Sequence, residues 1–164
     1  MKRILAVVVL AACVLVLSPS AAAQCSAGSL QGTYALSCNG WTDLSTLDPT
    51  LPKGYAPASH VGVLKLDGAG KGSGWHASNM GGLSLTMDFV NLTYTVKDDC
   101  MVQATYSMKI RGLGLTIGPV TRILVAIPAF LNGFDMEMRG VNAGAGPGQD
   151  VTPCVLKRFS LNTN

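Results

Sequence analysis

The chain has 164 residues, of which 48% are hydrophobic and 13% are charged, and its formal net charge is +3. This length suits one domain with a real core. If the two cations of the first three residues are lost with a signal peptide, the net charge falls to about +1, which excludes a basic field for nucleic acid or an anionic membrane.

The first 23 residues have the pattern of a cleaved secretory signal. A basic start and an apolar run over Ile4–Leu17 precede three alanines that end at position 23. The run is shorter than the roughly twenty residues of a transmembrane helix, and no second such run follows. Leu10–Cys13 fits a lipoprotein signal, but the run continues past it, which favours cleavage at 23. We therefore predict a secreted or periplasmic protein, with one domain over 24–164 and no membrane contact.

Four cysteines remain after position 23, an even number in an oxidising compartment: Cys25, Cys38, Cys100 and Cys154. Two disulfides are the default interpretation. No Cys or His pair stands at zinc-ligand spacing. The sequence therefore predicts neither a metal site nor another cofactor.

Alternation with a period of two residues predicts strands along the whole chain. They cover Thr33–Cys38, His60–Asp67, Lys71–Asn79, Leu83–Phe89, Val90–Val96, Met101–Ile110, Thr121–Ile127, Gly133–Arg139 and Cys154–Leu161. The apolar parity switches near Phe89, which indicates a bulge. Residues 39–58, 112–119 and 141–153 are predicted loops, and the first is either a passive connection pinned by Cys38 or a lid.

Eight to nine short strands with glycine-rich turns indicate an all-β sandwich or barrel. Closure is favoured because neither the first nor the last strand carries the dense charges that protect an exposed edge. We therefore predict a single closed antiparallel β-barrel of about eight strands, acting as a monomer.

The predicted inner face is apolar, with few polar groups. Its lining residues are Tyr34, Leu36, Trp75, Met87, Phe89, Tyr94, Tyr106, Met108, Phe134 and Met136. Methionine adapts its shape to varied apolar partners. Two interpretations stay open: a filled core, or a cavity for one small ligand.

Catalytic motifs are scarce in this sequence. No Gly-x-Ser-x-Gly or His-Glu-x-x-His pattern occurs, and the glycine-rich stretch 68–74 fits a hairpin turn. His60 and His76 are expected near opposite ends of one hairpin, where either is an acid or base if it faces a cavity. The other proton-transfer candidates are Asp67, Asp88 and Glu137.

Three short segments carry a family resemblance: Leu30–Tyr34, Leu66–Gly70, and Tyr94–Val96 with the following Asp99–Cys100. Together they resemble small secreted bacterial proteins of the allene oxide cyclase barrel-like group. The resemblance implies an eight-stranded antiparallel barrel of calycin type, whose relatives bind or cyclise small apolar molecules. No catalytic residue of the plant cyclases matches a position here, so no activity is implied.

Barrel closure also predicts the disulfide pairing. The last strand would lie beside the first, which brings Cys154 next to Cys38 and leaves Cys25 to pair with Cys100. For function, the apolar lining favours an exported module that binds a small hydrophobic molecule. The alternatives are a cofactor-free isomerase or cyclase using the same cavity, and a filled barrel with a structural or surface role.

Overall fold

The computed structural model describes residues 25–46, 50, 53–128, 136–142 and 152–160, with 136–142 described as backbone. This part is all-β, as predicted, and its helical content is two 3₁₀ helices of three residues each, Gly28–Leu30 and Leu44–Thr46. The strands are β1 (Gly32–Asp43), β2 (Tyr55–Leu66), β3 (Lys71–Met80), β4 (Leu83–Val96), β5 (Met101–Ile110), β6 (Thr116–Pro128), β7 (Met136–Asn142) and β8 (Cys154–Ser160).

The strands form one strongly curled antiparallel sheet. Each strand pairs with the next along the chain, and β8 pairs with both β7 and β1. Because all sequential neighbours are antiparallel, the β1–β2, β3–β4 and β5–β6 connections share one end of the sheet. We call this the loop end, and we call the opposite end, where β1 begins, the plug end.

The alternation that predicted the strands also decides which side chains face inward. On β4, Met87 and Phe89 are buried, and after a register shift between Val90 and Thr93 the buried residues are Leu92 and Tyr94. Asn91 occupies the extra position with φ of 55°, a left-handed conformation that asparagine tolerates. The predicted bulge is therefore present, two residues beyond the expected point.

Two predicted loops are partly strand. β1 continues to Asp43 and β2 already begins at Tyr55, because these two residues are register partners at the end of a long ladder. The predicted twenty-residue loop over 39–58 is therefore wrong. Likewise, β6 begins at Thr116 inside the predicted loop over 112–119, since it pairs with Lys109 of β5.

The plug end is closed by the 3₁₀ helix Gly28–Leu30, which we call the plug. Leu30 is fully buried, and the Tyr34 hydroxyl donates to its carbonyl oxygen over 2.8 Å. The Tyr94 hydroxyl accepts from the Gly68 amide at 3.0 Å and donates to the Ala27 carbonyl at 3.3 Å. Burial raises the pKa of Tyr34 to about 12, so this hydroxyl stays protonated as a donor.

Both predicted disulfides are present. Cys38 and Cys154 are direct register partners on β1 and β8, and Cys25, just before the plug, is joined to Cys100 in the β4–β5 turn. The sequence separations are 116 and 75 residues. Each bond therefore fixes a distant segment to the sheet, one at the β1–β8 seam and one at the plug end.

Candidate functional site

Two histidines lie side by side on the inner face of the sheet. His60 of β2 pairs with Ser78 of β3, and Gly62 pairs with His76, two residues nearer the β2–β3 turn on each strand. Their ring centroids are 5.5 Å apart in an edge-on arrangement, and both side chains are buried. The expectation that they occupy opposite ends of the hairpin is wrong, because the antiparallel register makes them diagonal neighbours on the inner face.

Local features hold both rings in place. The His60 Nδ1 atom is 2.6 Å from the Ser78 hydroxyl oxygen, and the tautomer decides which of the two donates. His76 packs against the backbone at Gly62, where a Cβ atom would lie 2.6 Å from the His76 Cα. Only glycine at position 62 therefore allows β2 and β3 to approach this closely.

A continuous row of contacts extends from the histidines across the inner face. The ring of His76 is 4.9 Å from that of Phe89, which is 5.0 Å from Tyr106 in an edge-on contact. Arg122 Nε donates to the Tyr106 hydroxyl at 3.2 Å, and its Nη1 donates to the Thr152 carbonyl at 3.4 Å. We call this row the inner belt; it consists of Ser78, His60, His76, Phe89, Tyr106, Arg122 and Thr152.

The electrostatics of the belt keep His76 neutral. Burial, followed by the neighbouring His60 and the Arg122 cation, lowers the pKa of His76 to about 4. Its Nδ1 atom and the Thr152 hydroxyl are buried without a hydrogen-bond partner among the residues described. A neutral imidazole both donates and accepts, so this arrangement can hydrogen-bond a polar group of a guest molecule or take part in a proton transfer.

Most of the predicted lining residues are on the inner face, but in three different places. Tyr34 and Tyr94 hold the plug, and Leu36 packs against the same apolar cluster. Phe89 and Tyr106 belong to the belt. Met87 lies in a second apolar cluster with Met80 and Ile110, and Met108 packs against both clusters. Polar groups that were not expected, among them His60 and His76, thus lie within the predicted set.

The prediction that Trp75 faces inward is wrong. Its side chain is 39% exposed, and the Arg111 guanidinium lies 5.7 Å from its ring on the outer face. The strand parity is set by its neighbour His76, which is buried opposite Gly62. Phe134 lies outside the described residues, and Met136 begins β7, whose side chains are also outside them.

The carboxylates considered for proton transfer are not in the belt. Asp67 caps the β2–β3 turn, where the Lys71 and Ala69 amides donate to it and lower its pKa. Asp88 pairs on the outside with Arg111, whose hydrogen bonds lower the pKa of that carboxyl. Glu137 is on β7, outside the described side chains. Among the residues that the structure describes, the histidines are therefore the proton-transfer candidates on the inner face.

Sequence reasoning missed Ser78, Arg122 and Thr152. Arg122 could have been predicted, because it shares the parity of the buried Leu124 and Ala126. Ser78 could not, because the apolar Trp75 on the other parity of β3 pointed to the wrong face. Thr152 precedes β8 and enters the belt through its carbonyl contact with Arg122, which no local pattern indicates.

Within the described ranges, no group of three His, Cys, Asp or Glu side chains is placed to hold a metal ion. No helix in that part of the chain is long and apolar enough to cross a membrane. In comparisons with protein-family models, curated proteins and solved structures, nothing matches this chain.

Proposed function

We propose that this chain is an exported protein that binds one small, mainly apolar molecule on the inner face of its sheet. The inner belt carries this proposal, because it places hydrogen-bonding groups between two apolar clusters. Sites for small molecules are typically apolar with a few convergent polar groups that fix the orientation of the ligand. Met87, Met108 and the ring of Phe89 would supply the apolar contacts on either side of His76.

Export and barrel closure belong to the same proposal. Two disulfides suit an oxidising compartment, and the signal-like residues 1–23, which lie outside the described part, suit a secreted or periplasmic location. The pairing of β8 with both β7 and β1 supports a closed calycin-type barrel, as in the allene oxide cyclase-like group that the sequence resembles. A closed sheet leaves no free edge, which favours a monomer.

The ligand is expected to carry a hydroxyl or carbonyl group. A buried polar atom without a partner costs about 1–3 kcal/mol, so a ligand group that pairs with His76 Nδ1 recovers a similar amount. A purely apolar molecule of the same shape would lack this gain. The proposal therefore predicts discrimination between probes that differ in one hydroxyl group.

Naphthalene and naphthol form such a pair for titration calorimetry. We expect naphthol to bind about tenfold more tightly. His76→Leu should remove the difference, and Met108→Lys should weaken both probes. Ser73→Ala, a change at an exposed position of β3, the strand of His76, should alter the affinity for neither probe. The binding function is refuted if no apolar probe from a broad panel binds the folded protein, and the anchoring role fails if His76→Leu preserves the preference for naphthol.

A second function, a cofactor-free isomerase or cyclase, is favoured by one observation. His76 is neutral and adjoins a second histidine that is hydrogen-bonded to a serine, which is a suitable arrangement for moving a proton between two atoms of a substrate. A β,γ-unsaturated cyclohexenone tests it, because transfer of one proton from the α to the γ carbon gives the conjugated isomer. Turnover above buffer that is lost in His76→Leu would support catalysis. An unchanged background rate would count against it.

A further inference from the structure

Large apolar side chains are exposed together at the loop end. Each of these residues is between 43% and 61% exposed to solvent. We call the set the apolar rim; it consists of Trp41, Tyr55, Leu83, Leu113 and Leu115. Other exposed apolar residues, such as Val61 and Phe159, lie along the strands or towards the plug end.

The fold itself brings the rim together. Trp41 is near the end of β1, Tyr55 and Leu83 are the first residues of β2 and β4, and Leu113 and Leu115 belong to the β5–β6 connection. These positions lie in or beside three separate connections at the same end of one antiparallel sheet. The plug is at the opposite end, so the rim and the plug lie at the two ends of the strands.

The charges around the rim favour an anionic partner. The carboxylate of Asp43 accepts from the amide and hydroxyl of Ser45, and that of Asp88 accepts from Arg111. Hydrogen bonding leaves both carboxylates charged, but the described residues at this end hold one cation more than carboxylates: Lys53, Lys109 and Arg111 against Asp43 and Asp88. Lys53, in the β1–β2 connection, and Lys109, near the end of β5, are exposed cations at the same end.

We propose that the apolar rim docks on the surface of a lipid bilayer that contains anionic phospholipid. Tryptophan and tyrosine favour the membrane interface, where the ring is in an apolar layer and its polar atom reaches water. Leucines at the tip of a turn can enter that layer without taking strand backbone with them, and lysines add attraction to anionic headgroups.

The amino-acid sequence shows no sign of this surface, for a physical reason. Its expectation of no membrane contact came from the low net charge and the absence of a second long apolar run. Apolar side chains distributed over three turns add no charge and form no long apolar run, and they meet only in the folded protein. The inference goes beyond the proposed ligand binding and does not depend on it.

Co-sedimentation with vesicles tests the proposal on the disulfide-bonded protein as purified. Vesicles of phosphatidylcholine with a quarter phosphatidylglycerol should bind it, and pure phosphatidylcholine should bind it more weakly. Replacing both leucines with threonine (Leu113→Thr, Leu115→Thr) should weaken binding by about tenfold, given the transfer free energy of two partly inserted leucines. The control Val125→Thr, Ile127→Thr changes two other exposed apolar residues, 48% and 44% exposed, on β6 away from the rim, and this variant should bind as the original protein does.

The two tryptophans give a second, independent measurement. A Trp75→Phe protein retains only the rim Trp41, and its emission should shift to the blue and be quenched by brominated lipid. A Trp41→Phe protein retains only Trp75 on the outer wall and should show neither effect. The proposal is overturned if the original protein does not bind vesicles, if both threonine pairs weaken binding equally, or if Trp75 responds instead of Trp41. Rim-dependent self-association without vesicle binding would assign the rim to a second copy of the chain and overturn it too.

Discussion

Replacing Gly62 with alanine should strongly destabilise the protein. A Cβ atom at this position would overlap the Trp75 carbonyl oxygen and lie 2.6 and 2.7 Å from the Cα and Cβ atoms of His76. Favourable carbon contacts lie at about 3.5–4.0 Å, so β2 and β3 would have to separate by roughly 1 Å. The obstructing atoms belong mainly to backbone, which cannot rotate away as the end of a side chain can.

The magnitude follows from this geometry. Overpacking costs about 1–3 kcal/mol, and this site is at the upper end because a strand pair must open. Alanine also restricts the unfolded chain, which offsets less than about 1 kcal/mol. We therefore expect a loss of at least about 2 kcal/mol in the free energy of unfolding, or a fall in Tm of several degrees for a domain of this size.

Urea unfolding of the oxidised protein measures this loss, with Gly28→Ala as the matched control. At Gly28 the nearest atom to a new Cβ is the Ser26 hydroxyl oxygen at 3.8 Å, so the control should change stability by less than about 0.5 kcal/mol. If Gly62→Ala were as well tolerated as Gly28→Ala, the β2–β3 register would be wrong, and with it the inward position of His76.

Three further predictions concern the disulfides, His76 and the plug. Replacing Cys38 and Cys154 with alanine should cost roughly 4–5 kcal/mol if the bond is unstrained, as measured by urea unfolding, and non-reducing peptide mapping that joined Cys25 to Cys38 would contradict the pairing. His76 has a pKa of about 4 in the folded state, below its unfolded value, so the unfolded chain takes up the proton first as pH falls. The free energy of unfolding should therefore drop by about 2 kcal/mol between pH 7 and pH 5. If His76→Leu shows a drop of the same size, the pH dependence belongs to other groups. Tyr34→Phe removes the buried bond to the plug and should lower the free energy of unfolding by about 1 kcal/mol, whereas the same change at the exposed Tyr55 should have no effect, and equal effects would argue against the plug contact.

The sequence by itself determined the strand content, the bulge in β4 and the disulfide partners. Strand content follows from side-chain alternation, which is a local property, and β5 was predicted over the residues that it occupies, Met101–Ile110. The cysteine pairing required one further step, since neighbouring first and last strands leave only one partner for Cys38. The last residues of β1 and the first residues of β2 were not predictable, because each segment is a strand only through its hydrogen bonds to the other.

Tertiary structure alone decided what the inner face contains. Apart from Met80 at the end of the strand, the inward positions of β3 are Gly72, Gly74, His76 and Ser78. That face therefore has little apolar signal, and Trp75 on the other parity was misleading. The pairing with β2 settles the matter, since His76 fits only where Gly62 has no side chain. The inner belt likewise joins residues of five strands and of the segment before β8, through contacts that depend on register between strands. Such contacts have no local pattern in the sequence, because each strand's own alternation is unchanged by which residue of its neighbour lies beside it.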